Sequence, residues 1–439
     1  MDKTLDLHAE HPDLRRRDFL KSAAQLTAAV SATALPGFSM ARSPDQTIKI
    51  GFIVPLSGIR ASFGASTNFS IDFVRKYLKD GIEIAGKKYD VEIIVKDNQS
   101  SPSRSLQVGN ELILNDKPDI ILVSDAEGAT AIANLADARG IPQVSCGGPW
   151  QGWVAQRHYD PKKGFPFTFY FFWGADELGR TYASLWDNLP TNKKVGTLYA
   201  DDDGGRAMSD PQHGFPPAFK AAGYEVIDTG LFQLNTDDFS TQIARFKAAG
   251  VEIVAGHTFE NHLATFWNQA MQAGFRPKIC TIAAGLLFPT SVSNLGSHGN
   301  GMSTEVWWTP TFPFKSSLTG QSAQQIADAY TAATGNQWTQ PLGYDHALLE
   351  VGIAALKASG NPKNATAVRD AIARMTLDTV VGKVDFQHSP LKNIGVTHIV
   401  AGQWQKADAG KFKFDLKVVG NSSNPAVPLS GKLEPLAFG

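Results

Sequence analysis

Twice along this chain a short apolar run gives way, across a turn of small residues, to a helix-spaced stretch, and each time the cycle repeats several times over. The first cycle sets the pattern. Residues 48–54, Ile-Lys-Ile-Gly-Phe-Ile-Val, read as a buried strand, and Pro55 and Gly58 break it. From Asn68 the spacing of Phe69, Ile71, Phe73, Val74, Tyr77 and Leu78 is helical. A strand, an open loop and a helix begin an α/β unit, and in such units ligands bind at the loops beyond the strands' carboxyl ends. Ser57, Gly58, Phe63 and Gly64 are therefore candidates for one wall of a ligand cleft.

The first series continues with strands expected over 89–96, 118–123 and 141–144, separated by helices over 103–114 and 129–139. A second series starts at 194–199 and adds strands at 224–227, 252–256 and 278–283, with helices over 215–222, 239–249 and 262–273. Strands alternating with helices predict parallel sheets covered on both faces, and two series predict two lobes with separate sheets. Residues 160–173, rich in Pro, Gly and aromatics, read as the crossover between them. Beyond Gly301 come a strand-like crossing at 306–310, helices over 322–334, 343–358 and 365–374, and short closing strands near 384–386 and 398–404. Those helices imply that the chain returns to the first lobe before ending on the second.

The opening segment reads as an address. Arg16-Arg17-Asp18-Phe19-Leu20-Lys21 is a twin-arginine pattern, residues 22–38 are alanine-rich and weakly apolar, and Ser39-Met40-Ala41 fits a small-x-small cleavage site. Residues 1–41 are thus expected to be a twin-arginine signal peptide. No cysteine follows the apolar stretch, so no lipid anchor is expected, and the product should reach the periplasm already folded. Lys+Arg total 41 against Asp+Glu 42, and the signal carries five of each, so the mature protein has no strong field to attract nucleic acid or an anionic membrane. Two cysteines, Cys146 and Cys280, are too few for a disulfide framework.

The chain resembles the type I periplasmic solute-binding proteins of ABC importers, in the branched-chain amino acid (Leu/Ile/Val)-binding family. The likeness rests on residues 50–58, Ile-Gly-Phe-Ile-Val-Pro-Leu-Ser-Gly, with Phe63-Gly64 following. It rests also on 120–123 with its polar turn, on Gly140-Ile141-Pro142, on 195–203, and on Gly382-Lys383-Val384-Asp385-Phe386 with Gly402-Gln403-Trp404. It implies an α/β fold of two lobes, each a parallel sheet flanked by helices, joined by three crossovers. Residues 42–172 with 302–378 would form lobe one, and 173–301 with 379–439 lobe two.

Carried over position by position, the resemblance implies ligand contacts from Ser57 and Phe63 in the first loop, and from Ala126 and Glu127 in the turn after the third strand. The loop that grips an amino acid's carboxylate becomes Ser145, Cys146, Gly147, Gly148, Pro149 and Trp150, with Pro149 lacking an N–H. Trp173 follows at the crossover, and Asp203, His257 and Ala284 stand in the second lobe's loops. The family's acidic partner for a ligand ammonium has no counterpart in the last of these. These departures point away from a plain branched-chain amino acid and towards a small carboxylate with an aromatic or apolar body.

Other chemistry is weakly supported. Arg60 reads first as a solvated loop arginine, and as a carboxylate partner only second. Trp150, Trp153 and Trp173 divide between ligand stacking and interlobe packing, and Trp307 and Trp308 alternate, so at most one faces the cleft. His257, Glu260 and His262 lack zinc spacing, Asp201-Asp202-Asp203 lack calcium-loop spacing, and Cys146 has no base assigned to it. No metal and no cofactor are implied, and catalysis is not expected. The expected function is capture of the acid by lobe closure and delivery to an ABC membrane permease by a monomer. A ligand sensor acting on a receptor, or a twin-arginine-exported enzyme, is consistent with the same features.

Overall fold

The structure, a computed structural model, describes residues 46–407 and 409–438; the expected signal peptide lies outside them. Strands β1 (Thr47–Val54), β2 (Ile82–Ile84), β3 (Lys87–Asp97), β4 (Ile120–Ser124), β5 (Gln143–Cys146) and β6 (Thr168–Phe172) open the chain. Next come β7 (Lys194–Ala200), β8 (Glu225–Phe232), β9 (Ile253–Thr258), β10 (Ile279–Ala284) and β11 (Ser303–Val306). The last are β12 (Thr376–Thr379), β13 (Gly382–Asp385), β14 (Ile394–Val396), β15 (Val400–Lys406) and β16 (Phe414–Gly420).

They form two seven-stranded sheets, ordered β14-β6-β5-β4-β1-β3-β2 and β16-β15-β11-β10-β9-β7-β8, beside a small β12-β13 hairpin. Pairing is parallel except at β2-β3 in the first sheet and at β11-β15-β16 in the second. In β1, Ile50 sits opposite Ile93 on one side and Ile120 on the other. From Ile50 to Val54 every residue is buried because helices cover both faces, so there neither alternate set of side chains meets water.

The layout differs from the expected one in three places, one within the expected crossover and two at lobe boundaries. Residues 160–173 are not all crossover, because Thr168–Phe172 is a fully buried strand between β5 and β14; only Trp173 and Gly174 precede the next helix, Ala175–Trp186. Ser303–Val306, expected in lobe one, lies inside the second sheet between β10 and β15. Ser-Thr-Glu-Val carries one apolar residue, so no periodicity marks it as a core strand. Finally, 382–396 stays with lobe one: β14 pairs with β6, and Glu350 on the Pro341–Ala358 helix accepts the Val380 N–H at 3.0 Å. The chain therefore recrosses after Val306 and again between Val396 and Val400.

Candidate ligand-binding site

The carboxyl ends of the strands of both sheets converge on one cavity. Lobe one supplies Arg60 and Phe63 after β1, Ser124 to Glu127 after β4, and Gly147 to Pro149 after β5. Lobe two supplies Asp202, Gly204 and Met208 after β7, His257 and Phe259 at β9, Ala284 and Leu287 at β10, and Glu305 on β11. Phe172 comes from the end of β6, Trp173 and Trp307 from the crossovers, and Pro341 and Tyr344 from a lobe-one helix. The volume is about 720 Å³, the mouth to solvent included. The lobes touch at the rim, where the Phe63 and Phe288 rings meet edge-to-face at 5.0 Å and Gln156 Nε2 donates to Asp203 Oδ1 at 3.0 Å. A side chain at Gly152 would meet the Asp203 carbonyl at 3.2 Å, so this glycine lets the Trp150–Ala155 helix sit on the second lobe. The cleft is closed.

Its walls are aromatic. Trp307 stacks near Phe63 at 6.3 Å and meets Phe172 and Tyr344 edge-on at 5.1 and 5.4 Å. Phe172 also packs on Trp173 at 4.9 Å and on Tyr344 at 4.7 Å. Such flat faces suit a planar or alicyclic body, each ring pair adding about 0.5–1.5 kcal/mol beyond area burial. Trp308, on the opposite side of the strand exit, packs edge-on against Trp338 at 5.9 Å and stays in the core.

The polar groups are unevenly shared. Arg60 is 7% exposed, not solvated, and its guanidinium is braced by two carboxylates. Nε donates to Asp125 Oδ1 at 3.1 Å and Nη1 to Glu127 Oε2 at 2.9 Å, while buried Nη2 has no partner among the described residues. Asp125 is itself fixed by Asn98 Nδ2 at 2.7 Å and by the Gly128 N–H at 2.9 Å, which makes it the N-cap of the Ala126–Arg139 helix. Burial, opposed by Arg60 and reinforced by Asp202 and Asp125, pushes Glu127 up to about 7. Across the cleft His257 Nε2 faces Asp202 Oδ2 at 3.2 Å. Burial works against charge on both; their mutual attraction outweighs it, raising His257 and lowering Asp202. Trp173 Nε1 and Trp307 Nε1 are also buried donors without a partner among the described residues.

Of the residues expected at the site, Phe63, Ala126, Glu127, Gly147, Gly148, Trp173, His257 and Ala284 line this cavity. Five do not. Ser57 is exposed and donates to Asp97 Oδ2 at 2.7 Å, closing the β1 turn. Ser145 lies in the sheet and bonds Gln143 Nε2 at 2.8 Å, and Cys146 is a fully buried free thiol beside it. Trp150 lines an outer groove with Gln151, Asp176 and Arg180. Asp203 ties the lobes together through Gln156 and holds Arg206 Nη2 at 2.7 Å.

The loop expected to grip a carboxylate has two of its N–H donors already committed. The Tyr170 hydroxyl donates to the Gly148 carbonyl at 2.9 Å and accepts the Gly148 N–H at 3.0 Å, and the Trp150 N–H goes to the Trp173 carbonyl at 3.2 Å. Asp125, Asp202, Glu305, Phe172 and Tyr344 were not among the expected contacts, Arg60 was read as a carboxylate partner only second, and of Trp307 and Trp308 it is Trp307 that lines the cavity. The two-carboxylate brace on Arg60 joins residues 65 and 67 apart, so no local pattern reports it. Among the described residues no group of three or more His, Cys, Asp or Glu is placed to hold a metal. His262 is held by the Leu234 carbonyl at 3.0 Å and the Phe259 N–H at 3.4 Å.

This architecture can be compared with known proteins. The family profile described as "Periplasmic binding protein" matches residues 47–409. The chain belongs to the periplasmic binding protein family. Its fold and family are those of solute-binding proteins. A curated relative, Leu/Ile/Val-binding protein homolog 4 of Brucella abortus, is 23% identical over 380 residues, covering 81% of this chain and 84% of that protein. The leucine-binding protein LivK of Thermotoga maritima superposes with a TM-score of 0.69 at 17% identity, covering 86% of this chain and 99% of that one. An ABC-transporter solute-binding protein of Rhodopseudomonas palustris, solved with 3,4-dihydroxybenzoic acid, gives 0.67 at 21% identity, covering 85% and 97%. At these identities the two structures establish the shared fold.

Proposed function

We propose that this protein captures a small acid with an aromatic or apolar body between its lobes and delivers it to an ABC permease. The observation that carries the reading is Arg60. A guanidinium locked by two carboxylates presents one buried NH2 group, Nη2, with no partner among the described residues, to an aromatic-walled cavity. A ligand carboxylate there gains a charge-assisted hydrogen bond at low reorganisation cost, because the fork is already held. The indole N–H groups of Trp173 and Trp307 are further donors for the same acceptor-bearing ligand. Ligand contacts to both lobes bias the open–closed equilibrium towards closure, and the closed shape is what the permease reads. The twin-arginine pattern at Arg16-Arg17 supports folded export to the periplasm, and the protein acts there as a monomer. Catalysis has no place in this reading.

Thermal-shift screening of aryl acids, aromatic and branched-chain amino acids, and the matching amides tests it. Aryl acids or aromatic amino acids should raise the melting temperature, while the amides do little. Strong stabilisation by leucine and its relatives with none by any aryl compound would sink the proposal.

A further inference from the structure

Glu305 stands in the wall of the cavity in a way the acid-binding reading leaves unused. It lies on β11, inside the second sheet, and is 2% exposed. Oε2 accepts two hydroxyls, from Tyr182 at 2.7 Å and from Thr304 at 2.7 Å. Oε1 accepts only the Ala284 N–H, at a longer 3.2 Å. A carboxylate oxygen has room for two donors, so Oε1 retains capacity at the cavity wall. No described residue forms an ion pair with Glu305, unlike Asp202, which has His257, and Glu127, which has Arg60. Burial accordingly raises the Glu305 carboxyl despite the donors around it. A buried acid without a cation is costly to the fold, and such costs are characteristically carried by groups that meet a ligand.

A purely structural role competes. Ala284 has φ +62°, and the bond from its N–H to Glu305 braces that left-handed turn. That bond takes one lone pair of Oε1, however, and the two hydroxyls fall on Oε2, so the structural role leaves a second acceptor position of Oε1 unused. We propose that Glu305 is a ligand-contacting residue that receives an O–H or N–H donor at the lobe-two side of the cavity. The ligand is then an acid that also carries a hydroxyl or a protonated amine. The inference rests on the Arg60 reading for the acid end.

The test is a matched series titrated into the wild-type protein: 3- and 4-methylbenzoate, 3- and 4-hydroxybenzoate, and 3- and 4-(aminomethyl)benzoate. The better hydroxyl or aminomethyl isomer should bind about tenfold or more tighter than either methyl compound, the scale of one charge-assisted hydrogen bond. In Glu305→Gln the aminomethyl compounds should lose about tenfold or more, while the methyl compounds change less than about threefold. Methyl compounds equal to both donor series would overturn the inference, as would a Gln variant that weakens all three alike, the mark of a role confined to Ala284. If the Gln variant does not fold, the wild-type ranking decides alone. Failure of every acid in the series would instead bring down the Arg60 reading, and this inference with it.

Discussion

Lobe one meets the cavity with a cation braced by two carboxylates, whereas lobe two meets it with two carboxylates of which only Asp202 has a basic partner. Of the aromatic residues between them Trp173 and Trp307 belong to the crossovers, and all are neutral. Each lobe thus brings one basic group and two acids, and the difference lies in which group is left open: Arg60 Nη2 on one side and Glu305 Oε1 on the other. On the proposed reading an acceptor on the ligand is directed to the first and a donor to the second, while the rings set shape. Lobe one also buries two acids below the cavity. The lobe-one helix Pro341–Ala358 buries Asp345, which accepts from Ser124 at 2.6 Å and Thr67 at 2.7 Å, and Glu350, which accepts from Ser317 Oγ at 2.8 Å and Val380 at 3.0 Å. Burial outweighs these donors and pushes both acids up to about 7.

The largest expected effect lies in that buried pair. Both acids hold their protons more tightly folded than unfolded, so folding stability falls as pH rises from about 4 to about 7. The slope is up to ~1.4 kcal/mol per pH unit for each group. Urea unfolding at pH 5 and 7.5 should show the loss, and Asp345→Asn should flatten it; an unchanged slope would mean that Asp345 is ionised throughout.

At the site, Arg60→Lys keeps the charge but cannot hold both carboxylates and a ligand at once. Affinity for the acid should drop by ~2 kcal/mol or more, about 30-fold. An affinity unchanged in calorimetry would place the acid elsewhere and erase the lobe contrast. Phe63→Ala removes one ring from the wall and the edge contact with Phe288, at about 1.5 kcal/mol or tenfold. Trp150→Ala, in the outer groove, should leave affinity alone; the reverse ranking would restore the sequence-derived site. Smallest is Gln156→Ala, which removes an interlobe hydrogen bond remote from the ligand. It should weaken every ligand by the same few-fold, about 1 kcal/mol, because it acts on closure. Loss for one ligand and not another would make Gln156 part of the site.

Much of the fold is written in the apolar runs. β1, β4, β7 and β9 are nearly continuous hydrophobic stretches because helices cover both faces of each sheet, and the period change into the following helices is plain. Ser-Thr-Glu-Val and Ile-Gly-Val are not legible as strands, since β11 and β14 owe their place to neighbours far along the chain. For the site, loops were legible and side-chain directions were not. Asp202 and Asp203 are adjacent, yet one reaches the cavity and the other the lobe rim. Gly148 was expected to offer an N–H, but the Tyr170 hydroxyl, 22 residues on, takes it. Glu305 carried no signal, being one of three polar residues in a four-residue strand.

The most direct measurement is a crystal structure of the complex with the tightest-binding acid of the panel. The carboxylate is expected between the lobes, about 3 Å from Arg60 Nη2, with the ligand's body against Phe63, Phe172 and Trp307. A carboxylate held instead by the 145–150 loop, with Arg60 Nη2 untouched, would contradict the assignment of the acid end to Arg60.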